Sequence, residues 1–179
     1  MDSIRGKYQQ FGVKDFYTFH GGDYKNPHEL SIRQSIDFIY NNWGLDYSKV
    51  LDLACGKGEI TKALEKNGVT DIEAVDGYLA KEYTNNTGRN CDTMSFDDIL
   101  KGSLRGRHYS IVICSYALHL LEDNKLPTFL LQLPEITNSL LILSPHKKPY
   151  IRNDWGWELK KEMEFNRVRS RYFKSTIKY

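Results

Sequence analysis

The sequence predicts an α/β protein built on a parallel, doubly wound sheet. Short apolar runs alternate with helix-like segments between residues 49 and 144. Three of the runs, VLDLA, IVIC and LLIL, are apolar almost throughout, as strands covered on both faces must be. A glycine-rich turn, Cys55-Gly56-Lys57-Gly58, stands between the first run and a helical segment, where such sheets hold ligands.

The elements follow in order. In YKNPHELSIRQSIDFIYNNWG, Asn26 suits an N-cap, Pro27 the first helical position, and Glu29 stands three residues after the cap. Ile32, Ile36, Ile39, Tyr40 and Trp43 recur at helical spacing and Gly44 ends the helix. Strands are expected at 49–54, 71–75, 90–95, 109–114 and 139–144, and helices at 59–66, 77–84, 97–102, 116–122 and 126–136. Past Pro149 the pattern changes to loose alternation, predicting two final strands in WGWELKKEMEF and NRVRSRYFKSTIKY, expected to be antiparallel.

With 179 residues, 40% of them apolar and 27% charged, the chain is expected to form one folded domain. No apolar run approaches the roughly 18 residues of a membrane span, and the first twenty residues lack a signal-peptide core. Cys55, Cys91 and Cys114 are odd in number and lack CxxC spacing, so neither a disulfide framework nor a metal site is expected. A cytoplasmic location, with the nucleus also possible, follows as the expectation. The net charge is +2, but from Pro145 to Tyr179 ten lysines and arginines face four acids. That asymmetry suits an anionic partner, or simply a solvated basic face.

The glycine turn narrows the ligand. A phosphate-binding loop requires four residues between its glycines and then Gly-Lys-Ser/Thr, whereas Lys57 is followed by Gly58 and Glu59. A dinucleotide turn needs a third small residue, where Thr61 stands, and a pyrophosphate would approach Asp52 and Glu59. A positively charged cofactor fits better. The sulfonium and ammonium of S-adenosylmethionine suit Asp52, and Asp76, at the end of the next strand, can accept two hydrogen bonds from a ribose diol. Asp76 can equally be a helix cap.

Asp52-Leu-Ala54-Cys55-Gly56-Lys-Gly58 resembles the first motif of class I, seven-stranded S-adenosylmethionine-dependent methyltransferases, and Asp76-Gly77 resembles their ribose-binding acid and its neighbour. Ser95-Phe96-Asp97 resembles the segment lining the adenine, and Ile111 to His119, through Cys114-Ser115-Tyr116, resembles the fourth motif at the methyl-transfer end. Pro145 follows the fifth strand as in that family, so the resemblance spans Lys49 to Pro145. It implies a three-layer, Rossmann-like α/β sandwich with strand order 3-2-1-4-5-7-6, the last strand antiparallel. It implies a core over 46–179, an N-terminal segment and helix over 1–45 covering the cofactor, and S-adenosyl-L-methionine as that cofactor. Tyr24-x-Asn26-Pro27-His28, PHKKP and WGW also resemble segments of small eukaryotic methyltransferases, without naming a substrate.

Methyl transfer draws on positioning and electrostatic fit, and a general base is needed only for some nucleophiles. After the fourth strand Cys114-Ser115-Tyr116-Ala117 lacks the Asn/Asp-Pro-Pro-aromatic signature, and neither a Pro-Cys pair nor a strand-end Asp is present. Candidates for shaping the acceptor pocket are Tyr24, His28, Ser115, Tyr116, His119 and His146. Lys147, Lys148 and Arg152 place positive charge at its rim, and Arg167, Arg169 and Arg171 would share one strand face beside Tyr172 and Phe173. RNA or an anionic small molecule is therefore the favoured acceptor, with a protein substrate as an alternative. Trp155 and Trp157 suit either the pocket or hairpin packing. From a different class, the chain can be an inactive, methyltransferase-like binding subunit working through its basic C-terminal face. A monomer is expected, with room for a protein partner.

Overall fold

The computed structural model describes residues 27–145 and 147–179. Seven strands form one sheet: β1 (Val50–Leu53), β2 (Ile72–Asp76), β3 (Asp92–Thr93), β4 (Ile111–Ser115), β5 (Ser139–Ser144), β6 (Trp157–Phe165) and β7 (Val168–Ser175). Their order is β3-β2-β1-β4-β5-β7-β6. The first five run parallel, while β7 pairs antiparallel with both β5 and β6. This is the architecture and order expected above.

Helices cover both faces, which explains the continuous apolar strands. Val50, Ile111, Ile113, Leu141 and Leu143 point to one face, under α1 (Glu29–Asn42) and α2 (Glu59–Lys66). Leu51, Leu53, Val112, Cys114, Leu140 and Ile142 point to the other, under α4 (Phe96–Leu100) and α5 (Leu126–Gln132). The helix α3 (Ala80–Thr87) packs the buried ring of Tyr83 against Ala74 of β2.

Several expected boundaries move. Helix α1 starts at Glu29 with His28 in the cap position and no side-chain cap, so Pro27 stands outside it; Asn26 lies outside the described residues. The strand expected at 90–95 shrinks to Asp92–Thr93 because Ser95 leaves the sheet to cap α4. The helix expected at 77–84 is displaced to Ala80–Thr87, since Asp76 first holds the backbone N–H groups of Tyr78 and Leu79 in a turn. The helix expected at 97–102 ends at Leu100, and that at 116–122 is only a 3-10 turn over Leu118–Leu120. The one expected at 126–136 ends as a helix at Gln132, where Pro134 lacks the N–H the helix would need, and continues as a 3-10 turn. The hairpin β6–β7 turns through Asn166 and Arg167, both at positive φ, as a two-residue turn requires. The outer strand β6 is mostly exposed and carries alternating Glu and Lys, which protects a sheet edge. Trp157, 0% exposed, donates its Nε1–H to the Leu130 carbonyl, so of the pocket and the hairpin packing it takes the packing role.

Candidate functional site

A cavity of about 390 Å³ opens at the carboxyl ends of β1, β2 and β4. Its floor is the turn after β1. Ala54 and Gly56 turn through positive φ, and Gly58 enters α2 at φ +89. A side chain on Gly58 would run into Tyr83 and Thr87, so the residue backs the cavity as a packing glycine and does not line it. At Gly77 an added Cβ would stand 2.9 Å from Ser95 Cα, so glycine lets the β2 and β3 ends close together beside the cavity.

Two aspartates support the turn differently. Asp52 is 1% exposed, and its Oδ2 accepts from the backbone N–H and the hydroxyl of Thr61 at 3.2 and 2.7 Å. The same hydroxyl meets Tyr83 Oη at 2.9 Å. Thr61, too large for a dinucleotide turn, thus belongs to a buried polar chain. Burial pushes Asp52 up to about 8, and the charge of Glu59 adds to this. Asp52 lines the cavity although it is 1% exposed and spends Oδ2 on Thr61, and Glu59 lines it too, with its Oε2 3.5 Å from the position of a Cβ on Gly56. Asp76 accepts from Gly56 at Oδ2 and from Tyr78 and Leu79 at Oδ1. It therefore holds the turn that precedes α3, whose cap position is Leu79, and is not the cap of a helix starting at Gly77. A carboxylate offers about four acceptor positions, which leaves one on Oδ2 for a ligand hydroxyl, not the two expected for a diol. Burial raises Asp76 above the ordinary carboxylate range.

The far wall comes from the β3–α4 segment. Ser95 forms a capping box with Asp98, whose carboxylate accepts from Ser95 N–H at 2.9 Å. Phe96 lines the cavity and meets Phe129 edge-on, with centroids 5.2 Å apart. Asp97 also lines it, and Lys125 bridges Asp97 and Glu122 at 3.0 Å each.

At the β4 end Ser115 and Tyr116 line the cavity, and Tyr116 is held at φ +55. Burial pushes its hydroxyl up to about 12. The His28 ring packs against Tyr116, centroids 5.0 Å apart. Burial and then the nearby Arg167 charge hold the His28 imidazole below the usual histidine range. Cys55 lines the cavity, but Cys114 does not; it faces the core under α5. His119, in the 3-10 turn, is also outside the lining, and Tyr24 and His146 lie outside the described residues.

The basic C-terminal face is smaller than expected. Arg169 pairs with Glu162 and Glu164 at 2.6 Å each. Arg171, 6% exposed, donates to the Pro149 carbonyl. Arg167 sits in the hairpin turn, not on the strand face, and Arg152 pairs with Asp154. Lys147, Lys148 and Arg167 stay exposed.

Glu59 is legible in GKGE, where the sequence speaks only to its repulsion of a pyrophosphate. Lys125 gave no signal, because its contact with Asp97 crosses 28 positions of sequence, and Glu122 joins that cluster only through Lys125.

No family model matches the chain. A Schizosaccharomyces pombe protein, described as uncharacterised, is 29% identical over an alignment of 228 positions, gaps included, covering 97% of this chain and 92% of its own. Magnesium protoporphyrin IX methyltransferase from Synechocystis PCC 6803, solved with bound S-adenosylmethionine, superposes with a TM-score of 0.67 at 15% identity, over 91% of this chain and 94% of its own. An rRNA methylase from Escherichia coli gives 0.63 at 12% identity, over 94% and 72%. The fold is that of the class I, seven-stranded S-adenosylmethionine-dependent methyltransferases. Among the described residues no helix is long and apolar enough to cross a membrane.

Proposed function

We propose that the chain binds S-adenosylmethionine in this cavity and transfers its methyl group to an acceptor at the β4 end. The observation that carries the reading is the closed pair of turns, Gly56 bonded to Asp76, with the carboxylates of Asp76, Glu59 and Asp97 around one cavity. That donor set suits a cationic ligand with a ribose and repels a polyphosphate. The bound sulfonium would supply an electrophilic methyl group. Asp76 Oδ2 offers its remaining acceptor position to a ribose hydroxyl, and Glu59 offers negative charge to an ammonium. Met94, Phe96 and Leu121 give an apolar wall for a flat ring.

Ser115 and Tyr116 shape the acceptor side. A Tyr116 hydroxyl pushed up to about 12 does not serve as a base at neutral pH. The His28 imidazole, lowered by burial and by Arg167, packs against Tyr116 and is not among the cavity-lining residues. The finer reading is an anionic acceptor, RNA or a phosphorylated small molecule. Its support is the exposed Lys147 and Lys148 after β5 and Arg167 beside His28. Withdrawal of Arg169 and Arg171 into ion pairs and core favours a compact anion over a long nucleic-acid track.

The test is thermal shift with S-adenosylmethionine, S-adenosylhomocysteine and NADPH, followed by transfer of labelled methyl to RNA and to small phosphorylated metabolites. At a hundredfold excess over Kd the gain is about 2.7 kcal/mol, or roughly 5–10 °C for this size. Stabilisation by both sulfur compounds but not by NADPH is expected. No shift with either would overturn the cofactor reading, and binding without transfer to any acceptor would favour a binding subunit.

A further inference from the structure

Two cysteine sulfurs meet behind the glycine turn. Cys55 Sγ and Cys91 Sγ lie 3.4 Å apart although 36 positions separate them. Both are free thiols, Cys55 buried and Cys91 half-buried. They cluster over Ala74 of β2 with the ring of Tyr83. We propose that this pair is an oxidation site, at which hydrogen peroxide converts the two thiols to a disulfide and displaces the turn that carries Gly56.

The more accessible Cys91 reacts first. Its sulfur attacks the O–O bond; an S–O bond forms, the O–O bond breaks and one water leaves, giving a sulfenic acid. The Cys55 sulfur then attacks the Cys91 sulfur; the S–S bond forms, the S–O bond breaks, and the second water leaves with the remaining thiol proton. Two thiols lose two electrons and one peroxide is reduced to two waters.

Closure requires movement. A disulfide needs about 2.05 Å between sulfurs, well short of the 3.4 Å gap. Strand β2 lies between β1 and β3, so the cysteines approach across one strand. The Cys91 side is anchored: Arg89 holds Glu65 and the Thr70 and Ile72 carbonyls at 2.9, 2.6 and 3.3 Å, and Asp92 pairs with Arg107 at 2.7 Å. The turn side is tied by Cys55 N–H to the Val75 carbonyl at 3.1 Å and by Gly56 N–H to Asp76 at 3.0 Å. The turn, already built on Ala54 and Gly56 at positive φ, is the part that yields. The bond from Gly56 to Asp76 then breaks, and the cavity loses its floor.

The consequence for ligand binding rests on the cofactor reading proposed above; the thiol chemistry does not. The full chain is reduced, treated with hydrogen peroxide and digested without reductant for mass spectrometry. Hydrogen exchange of residues 54–58 and affinity for S-adenosylhomocysteine are measured before oxidation, after it, and after dithiothreitol. The expected result is a peptide cross-linked between Cys55 and Cys91, with Cys114 still free. Faster exchange in the turn and at least a tenfold loss of affinity accompany it, both reversed by dithiothreitol and both absent in Cys91→Ser. A Cys91 that stops at the sulfinic acid, a cross-link only between molecules, or a disulfide with unchanged exchange in the turn overturns the proposal. If the reduced protein binds no S-adenosylhomocysteine, the cofactor reading fails, while the cross-link and the exchange still decide the oxidation site.

Discussion

Gly56 donates its backbone N–H to Asp76 Oδ2 at 3.0 Å, so the turn after β1 is closed by the acid that ends β2. Asp76 thus closes the turn and lines the cavity with one carboxylate. Asp76→Ala strands three backbone donors and is expected to cost about 2–4 kcal/mol in urea denaturation. Asp76→Asn keeps an oxygen for Tyr78 and Leu79 but turns an amide toward Gly56, and is expected to cost roughly half as much. Affinity for S-adenosylmethionine should fall more than tenfold in both. Full affinity in Asp76→Asn would show that the link from Gly56 to Asp76 does not shape the site.

Glu59 lines the cavity together with the more deeply buried Asp52. Glu59→Gln is expected to weaken S-adenosylmethionine binding about tenfold, the value of one charge-assisted contact. Methylthioadenosine, which lacks the amino-acid end, should bind the variant and the wild type alike. Calorimetry with both ligands separates the cases, and equal losses for the two would place Glu59 elsewhere than at the ammonium.

Asp52 is pushed up by burial from 3.8 to about 8. The native state therefore holds a proton that the unfolded chain releases once pH rises past the ordinary aspartate range. Stability lost to this group is absent below about pH 4, grows as pH rises, and levels off above about 8. Asp52→Asn removes that dependence. Its stability relative to wild type should climb by more than about 2 kcal/mol between pH 4 and 8, measured by denaturation at each pH. A flat difference would mean that the carboxylate stays ionised in the fold.

Ala54 sits at φ +54, where an alanine Cβ crowds the following carbonyl. Ala54→Gly is expected to stabilise the protein by about 0.5–1 kcal/mol and to leave cofactor affinity within about twofold. Chemical denaturation and titration check both; destabilisation would point to packing by the Ala54 methyl that outweighs the strain.

Local pattern and long-range contact divide the rest. The strands VLDLA, IVIC and LLIL could be read from sequence because burial on both faces demands apolar residues at every position. Gly56, Gly58 and Asp76 stood out because a tight turn at a strand end needs particular residue types at fixed offsets, whereas Ser95-Phe96-Asp97 stood out only by its resemblance to a family segment. Helix extents after β4 were misjudged because an apolar run such as ALHLLE satisfies a 3-10 turn as well as a helix, and packing chooses between them.

The sequence by itself determined the sheet, its alternation with helices and the place of the glycine turn, since these follow from periodicity and backbone chemistry within a few residues. Only the tertiary structure decided what each charged or reactive side chain does. Asp52 was buried against Thr61, Glu59 came to line the same cavity, Arg169 and Arg171 went into pairs and core, and Cys55 against Cys91. Burial and partner depend on which residues from distant segments share a few ångströms. That distance is set by the packed sheet and helices, and no local pattern encodes it.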